Sequence, residues 1–301
     1  MDIHPTGQFD NSAKDYRHIT ATPLGAAMGA EISGVNVTDL TDDSFAEVAD
    51  ALYRHKMIYF RDQDIGHADQ EAFTLRFGEF GRDAYTTGVD GHPDVQPVLK
   101  EADSKAHMIF GGTWHTDSPF LPQPPSVTIL FGRDIPTYGG DTMWANSALA
   151  YAFLSDTMKE TLANLRVHMS ARTVLAEVKK GAAKHGEKSL GGTPLQFDPE
   201  PMIAGVMHPL VRTHPVTGEK ALYVDDAYTV SIDGMTEPEA DALLGFLRHH
   251  VTQPAFTCRL RWEPNTLTVW DNRLCLHHAF NDHDGQRREM YRTTVLGEVP
   301  V

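Results

Sequence analysis

The pattern H-x-D occurs three times in this chain, as His67-Ala68-Asp69, His92-Pro93-Asp94 and His115-Thr116-Asp117. On an extended backbone, residues i and i+2 face the same way. Such a pair can aim one imidazole nitrogen and one carboxylate oxygen at a common point. A second histidine from a distant strand completes a set of two histidines and one carboxylate. That donor set suits non-haem iron(II) and leaves three coordination positions open. The first pair sits at a predicted helix start, where the helix dipole favours an aspartate. The second lies in "DGHPDV", whose proline suits a turn. The third stands in "GGTWHTDSPF" (111–120) and is the candidate. Its own letters do not separate a metal site from an ordinary polar turn.

The distal stretch "VWDNRLCLHHAFNDHDGQRREMYRTTV" places His277 and His278 directly after a predicted strand, with Arg287, Arg288 and Arg292 behind them. The chain carries 26 Lys+Arg against 41 Asp+Glu, a net charge of -15. In that field three arginines within six positions read as a local anion site, with a solvated strand end as the plainer alternative. The same field repels nucleic acid and anionic lipid, so neither is an expected partner. Cys258 and Cys275 show no metal or disulfide spacing and fit reduced, buried thiols. By alternation Cys275 shares a strand face with His277. The first residues lack the apolar core of a secretory signal. No apolar run reaches the roughly 20 residues of a membrane span. A cytoplasmic protein is expected.

Elements must position these groups. Residues 1–17 read as a flexible N-terminus, and 18–301 as one domain. "TDDSFAEVADALYRH" is a predicted helix, with acidic residues at its start and Phe45, Val48 and Leu52 on one face. A second helix is predicted at "HADQEAFTLRFG", a third over "ALAYAFLSDTMKETLANL", and a fourth at "TEPEADALLGFLRHH", which opens on the capping box Thr236/Glu239. Strands are predicted at "KMIYF", "VQPVL", "SVTILFGRDIP", "FTCRLRW", "TLTVWDN" and "YRTTVLGEV", and a hairpin turning at Thr217-Gly218. Residues 80–113 are too long for a plain connection and suggest a functional loop. Residues 174–206 mix Lys, Gly and Pro and read as a mobile loop. The sum is a mainly β domain with peripheral helices, an antiparallel sandwich or barrel.

Taken together, "GAEISGV", "WHTDSPF", "YGGDTMWAN", "HPLVRTHPVTGEKALYV", "VWDNRLCLHHA" and "RREMYRTTVLGEVP" resemble the TauD/TfdA family of Fe(II)/2-oxoglutarate-dependent dioxygenases, from about residue 20 to the end. Within it, "WHTDSPFL", "GMTEPEADALLGFL" and "FTCRLRW" look most like the aryloxyalkanoate (phenoxypropionate) dioxygenases. The resemblance implies a double-stranded β-helix, or jelly roll, and a homo-oligomer. It implies His115, Asp117 and His277 as iron ligands, with His278 outside the ligand set. It implies Thr142 and Arg288 as the groups that bind 2-oxoglutarate, with O2 as the second co-substrate. Arg292 then faces the substrate's acidic group, helped by the backbone N–H of Ser118. By residue type, Phe120 and Tyr223 fit either the pocket wall or a core or rim position.

This chain departs from taurine-cleaving members in two places. Asp83 stands where they carry a sulfonate-holding histidine, and Gly111 falls near their asparagine, which argues against taurine. The expected reaction is hydroxylation of a small organic acid, an aryloxyalkanoate-like carboxylate, with release of succinate and CO2. An alkyl sulfate or sulfonate is the alternative substrate. A non-catalytic jelly-roll binding protein is the rival from another class. Halogenation is disfavoured, because it needs the ligand carboxylate replaced and Asp117 is present.

Overall fold

The computed structural model of the protein describes residues 7–82, 84–104, 111–185 and 198–301. In chain order these form β1 (Thr20–Pro23), β2 (Ala30–Ser33), α1 (Asp42–His55), β3 (Met57–Phe60), α2 (His67–Leu75), β4 (Gln96–Lys100), β5 (Val127–Asp134), β6 (Thr142–Asn146), α3 (Ser147–Ala152), α4 (Asp156–Leu162) and β7 (Arg166–Met169). Then follow α5 (Arg172–His185), α6 (Pro199–Ala204), β8 (Val206–Pro209), β9 (Val211–Thr213), β10 (Lys220–Leu222), β11 (Thr229–Ile232), α7 (Glu237–Val251), β12 (Thr257–Leu260), β13 (Thr266–Asp271), β14 (Cys275–Ala279) and β15 (Arg288–Val295).

The mainly β reading holds, and the architecture is a jelly roll in one domain. A seven-stranded sheet runs β1-β2-β3-β13-β5-β15-β4, antiparallel except where β2 meets β3. A three-stranded sheet, β12-β6-β14, faces it. An apolar layer holding Trp144, Trp270, Leu130 and Met290 lies between the two. On the far face of the large sheet α1 contributes Val48 and Leu52 and α2 contributes Phe73, which meets Phe60 edge-on at 6.1 Å. Two helix starts show how local chemistry sets them. Thr41 accepts the Ser44 N–H at 3.2 Å, and Glu239 accepts the Thr236 N–H at 2.9 Å.

Three local expectations change. The predicted helix over 148–165 is two helices, because Ser155 accepts the Met158 N–H and starts a new one. The stretch expected to be a mobile loop at 174–206 holds most of α5 and all of α6, with 186–197 outside the described residues. Its Ala, Glu and Lys are good helix formers, and Leu175 supplies a buried contact. Residues 7–17 lie against α1 rather than loose. Asn11 bonds His55 Nδ1 at 2.6 Å and Gly29 O at 3.0 Å, and Tyr16 bonds Asp50 at 2.7 Å. Their polar composition reads as solvated only while those distant partners are unknown.

Candidate metal centre

His115 enters beside the edge of the three-stranded sheet. Its N–H and C=O exchange hydrogen bonds with those of His277, at 3.0 and 2.8 Å. This one antiparallel bridge brings the two distant motifs together, with the imidazole centroids 4.0 Å apart. Asp117, two residues on, joins them. Its Oδ1 lies 3.9 Å from His115 Nε2 and 3.8 Å from His277 Nε2. Donor atoms of the three residues lie within 4.8 Å of one another, and among the described residues no other such cluster occurs. All three side chains are buried.

The surroundings suit these groups to metal binding. His115 Nδ1 is engaged by Thr113 O at 2.8 Å, which leaves Nε2 for a metal. Burial, reinforced by neighbouring His115, drives the His277 pKa well below its ordinary value and keeps that ring neutral. For Asp117, burial opposes ionisation. The cations and rings around it, Arg292 foremost, together with the Thr128 hydroxyl, outweigh burial and hold its pKa at about 2. Two imidazoles and one carboxylate fit divalent iron.

One cleft, about 780 Å³ counted out to bulk solvent, is lined by all three and by Ser118, Thr142, Arg288 and Arg292. Thr142 Oγ1 accepts the Trp262 indole N–H at 3.0 Å, so its own hydrogen is left to donate. Arg288 lies 5.9 Å from the same indole ring. Gly140 stands beside it at φ +68°, a left-handed conformation that favours glycine. Arg288 is 5% exposed, and its Nε and Nη2 have no hydrogen-bond partner among the described residues. Burial pushes its pKa down to about 10, against a small opposing effect of Asp141. A buried cation with two unfilled donors is costly, and a carboxylate from a ligand would relieve it.

A family model described as "Taurine catabolism dioxygenase TauD, TfdA family" matches residues 20–294. The chain belongs to this family. An alpha-ketoglutarate-dependent sulfate ester dioxygenase of Pseudomonas putida is 33% identical, with 93% of this chain and 90% of the relative covered. An (S)-phenoxypropionate/alpha-ketoglutarate-dioxygenase of Sphingobium herbicidovorans is 28% identical, with 92% and 94% covered. A solved taurine dioxygenase from Burkholderia xenovorans superposes with a TM-score of 0.77 at 37% identity, covering 95% of this chain and 93% of that one. The family member described here is a 2-oxoglutarate-dependent non-haem iron dioxygenase, with Fe(II), 2-oxoglutarate and O2 as its cofactors and co-substrates.

Not every residue singled out from the sequence reaches the cleft. Phe120 sits behind it, 5.8 Å from the Tyr85 ring and 5.2 Å from Tyr228. Tyr223 lies under the Arg212 guanidinium at 4.8 Å and does not line the cleft. Asp83 falls outside the described residues. Of the three clustered arginines, Arg287 leaves the group. It points outward to Glu101, Asp134 and Glu289. His278 turns away from the centre, toward Trp114 at 5.6 Å and Phe280 at 4.9 Å. Cys275 is packed with Trp144 and Trp270, its Sγ 3.1 Å from Asp271 O, and burial raises its thiol pKa well above the ordinary value.

Other lining residues were not singled out. Tyr85 and Tyr228 form one wall, their hydroxyls 3.0 Å apart. Tyr85 comes from the long segment 80–113, whose length was the only signal. Tyr228 had none. Thr128, Asn272 and Trp262 carry hydrogen bonds to site residues, and nothing local in the sequence marks them.

Proposed function

We propose that His115, Asp117 and His277 hold the iron, that Thr142 and Arg288 hold 2-oxoglutarate, and that Arg292 and Ser118 receive the acidic group of a small organic acid that becomes hydroxylated. The observation that carries this reading is the buried Arg288 guanidinium, lacking partners on Nε and Nη2, in the same cleft as the His-Asp-His cluster. Iron(II) bound there supplies activation of O2, coupled to oxidative decarboxylation of 2-oxoglutarate to succinate and CO2.

The chain's own residues do the rest. Arg288 forks onto the distal carboxylate of the co-substrate while the Thr142 hydroxyl donates to it. Arg292 Nη1 rests 3.2 Å from Asp117 Oδ1, beside the centre, where it can meet a substrate anion and fix the distance from that anion to the reacting carbon. Ser118 is held at φ +45°, a strained conformation for a residue with a side chain, and lines the cleft next to Asp117. Pro97, Val98, Leu130, Tyr85 and Tyr228 give the cleft apolar walls that exclude water and suit an aryl or alkyl body.

An aryloxyalkanoate-like carboxylate fits this combination of arginine and aromatic wall. An alkyl sulfate or sulfonate is the second reading, favoured by the higher identity to the sulfate ester dioxygenase, 33% against 28% for the phenoxypropionate enzyme. Succinate release from 2-oxoglutarate with Fe(II) and ascorbate, measured across aryloxyacids, alkyl sulfates and sulfonates, tests both. Saturable stimulation by one class names the substrate class. Failure of every acidic compound sinks the Arg292 assignment. Iron binding unchanged in His115→Ala sinks the ligand set.

A further inference from the structure

We propose that Thr128 and Asn272 are positioning residues for the metal-binding carboxylate, holding Asp117 so that one oxygen alone is offered to a metal. The inference rests on the assignment of His115, Asp117 and His277 as ligands.

The hydrogen-bond directions leave no choice. The Trp270 indole N–H can only donate, and it donates to Asn272 Oδ1 at 3.0 Å. That fixes which end of the Asn272 amide is which, so Nδ2–H donates to Thr128 Oγ1 at 2.8 Å. A threonine hydroxyl has one hydrogen. With Asn272 donating into its oxygen, that hydrogen goes to Asp117 Oδ2, 2.6 Å away. The run is Trp270 to Asn272 to Thr128 to Asp117, each group donating to the next. Its members are 1%, 3%, 0% and 5% exposed, so water does not compete. Asn272 is itself pinned by its backbone: Asn272 N–H donates to Ser126 O at 2.9 Å, and Thr116 Oγ1 donates to Asn272 O at 2.9 Å. Trp270 also packs on His277, ring centroids 4.8 Å apart, so one residue steers two ligands.

The consequence is a matter of aim. With Oδ2 held by Thr128, Oδ1 is the oxygen that faces both histidine Nε2 atoms, with Arg292 Nη1 3.2 Å from it. A carboxylate released from the Thr128 hold can rotate, so that Oδ1 no longer stays aimed at the point the two imidazoles share, and a metal there would be held more weakly. A partner that orients a ligand typically affects metal affinity or activity roughly 10- to 100-fold.

The test is Mn(II) titration of the metal-free full-length protein, followed by electron paramagnetic resonance, so that no turnover is required. Thr128→Val keeps the shape and removes the donor, and it should weaken Mn(II) binding roughly 10- to 100-fold. Thr128→Ser restores the hydroxyl and should bind within a few-fold of wild type. Asn272→Ala leaves β5 untouched and should weaken binding in the same direction, which keeps the test open if Thr128→Val fails to fold. Wild-type affinity in Thr128→Val or, where that variant does not fold, in Asn272→Ala overturns the proposal. Equal weakening in the Val and Ser variants overturns it too, by showing that packing rather than the hydrogen bond matters. His115→Ala and Asp117→Ala, titrated alongside, separate the two claims. If they bind Mn(II) normally, the ligand assignment fails. If they lose it while Thr128→Val does not weaken, the positioning proposal alone fails.

Discussion

Replacing Arg288 with methionine should move affinity and stability in opposite directions. The guanidinium is buried, and Nε and Nη2 have no partner among the described residues. Its pKa falls from 12.5 to about 10 through burial. At about 1.4 kcal/mol per pKa unit, keeping it charged costs the ligand-free fold on the order of 3 kcal/mol. The sign follows from the direction of the shift. A base whose folded pKa is depressed is penalised at every pH below that folded value, so the full cost is present at neutral pH. A methionine of similar length removes the charge and keeps much of the contact with Trp262. The metal-free, co-substrate-free protein should therefore melt a few degrees higher.

Binding of 2-oxoglutarate should suffer strongly. Two charge-assisted hydrogen bonds at roughly 1.5–3 kcal/mol each correspond to a loss of roughly 10²- to 10⁴-fold in Kd. Thermal melting with and without 2-oxoglutarate, together with calorimetric titration in the presence of Mn(II), reads both quantities. Wild type should gain about 2.7 kcal/mol at a ligand concentration 100 times Kd, and the variant almost none. A variant that binds 2-oxoglutarate within threefold of wild type refutes the role given to Arg288. A ligand-free variant that melts several degrees lower refutes the claim that the buried charge with two unfilled donors is costly.

Further outcomes follow from the same geometry. Arg292→Gln should raise KM for the acidic substrate by roughly 10- to 100-fold, the worth of one charge-assisted bond, while 2-oxoglutarate affinity stays near wild type; steady-state kinetics over both concentrations check it. Trp262→Phe keeps a ring beside Arg288 but removes the donor to Thr142, and should weaken 2-oxoglutarate binding about fivefold, the equivalent of about 1 kcal/mol, by calorimetry. Asp271→Asn should cost about 3–5 kcal/mol of stability in denaturant unfolding, because it removes the buried carboxylate from Arg273, which keeps only the longer 3.5 Å pair with Glu298, and disturbs the 3.0 Å bond with His214. Burial opposes ionisation of Asp271, but Arg273 and His214 hold its pKa well below 3.8, so its contribution is complete above that value and is lost as pH falls further. Wild-type stability measured from pH 6 downward should fall in that acid range, and the Asn variant should show a shallower fall.

Much of this protein was legible in its order of residues, because the relevant chemistry is local. Thr41 and Thr236 announce helix starts by the hydrogen bonds that threonine and glutamate make within one turn. The strands announce themselves by alternation, but the sequence reading grouped Arg287 with Arg288 and Arg292 as one anion site, although Arg287 falls on the opposite face of the strand. The structure separates them, with Arg287 on surface acids and the other two in the cleft. The types of the candidate ligands and their order along the chain stand in the sequence as well.

What only the tertiary structure decided is which distant groups meet. The bridge between His115 and His277, rather than His278, depends on the register of two segments 162 residues apart (277 − 115). Phe120 and Tyr223 were plausible pocket walls by residue type, yet folding set Phe120 behind Tyr85 and Tyr228 and set Tyr223 under Arg212. Thr128 and Asn272 are polar residues of two separate strand regions, ordinary in sequence. Only the pairing of β5 with β13 puts one hydroxyl and one amide in line with Asp117. Hydrogen-bond geometry fails over a few tenths of an ångström, so a site of this kind is set by packing, while the sequence determines which chemical groups are available to be packed.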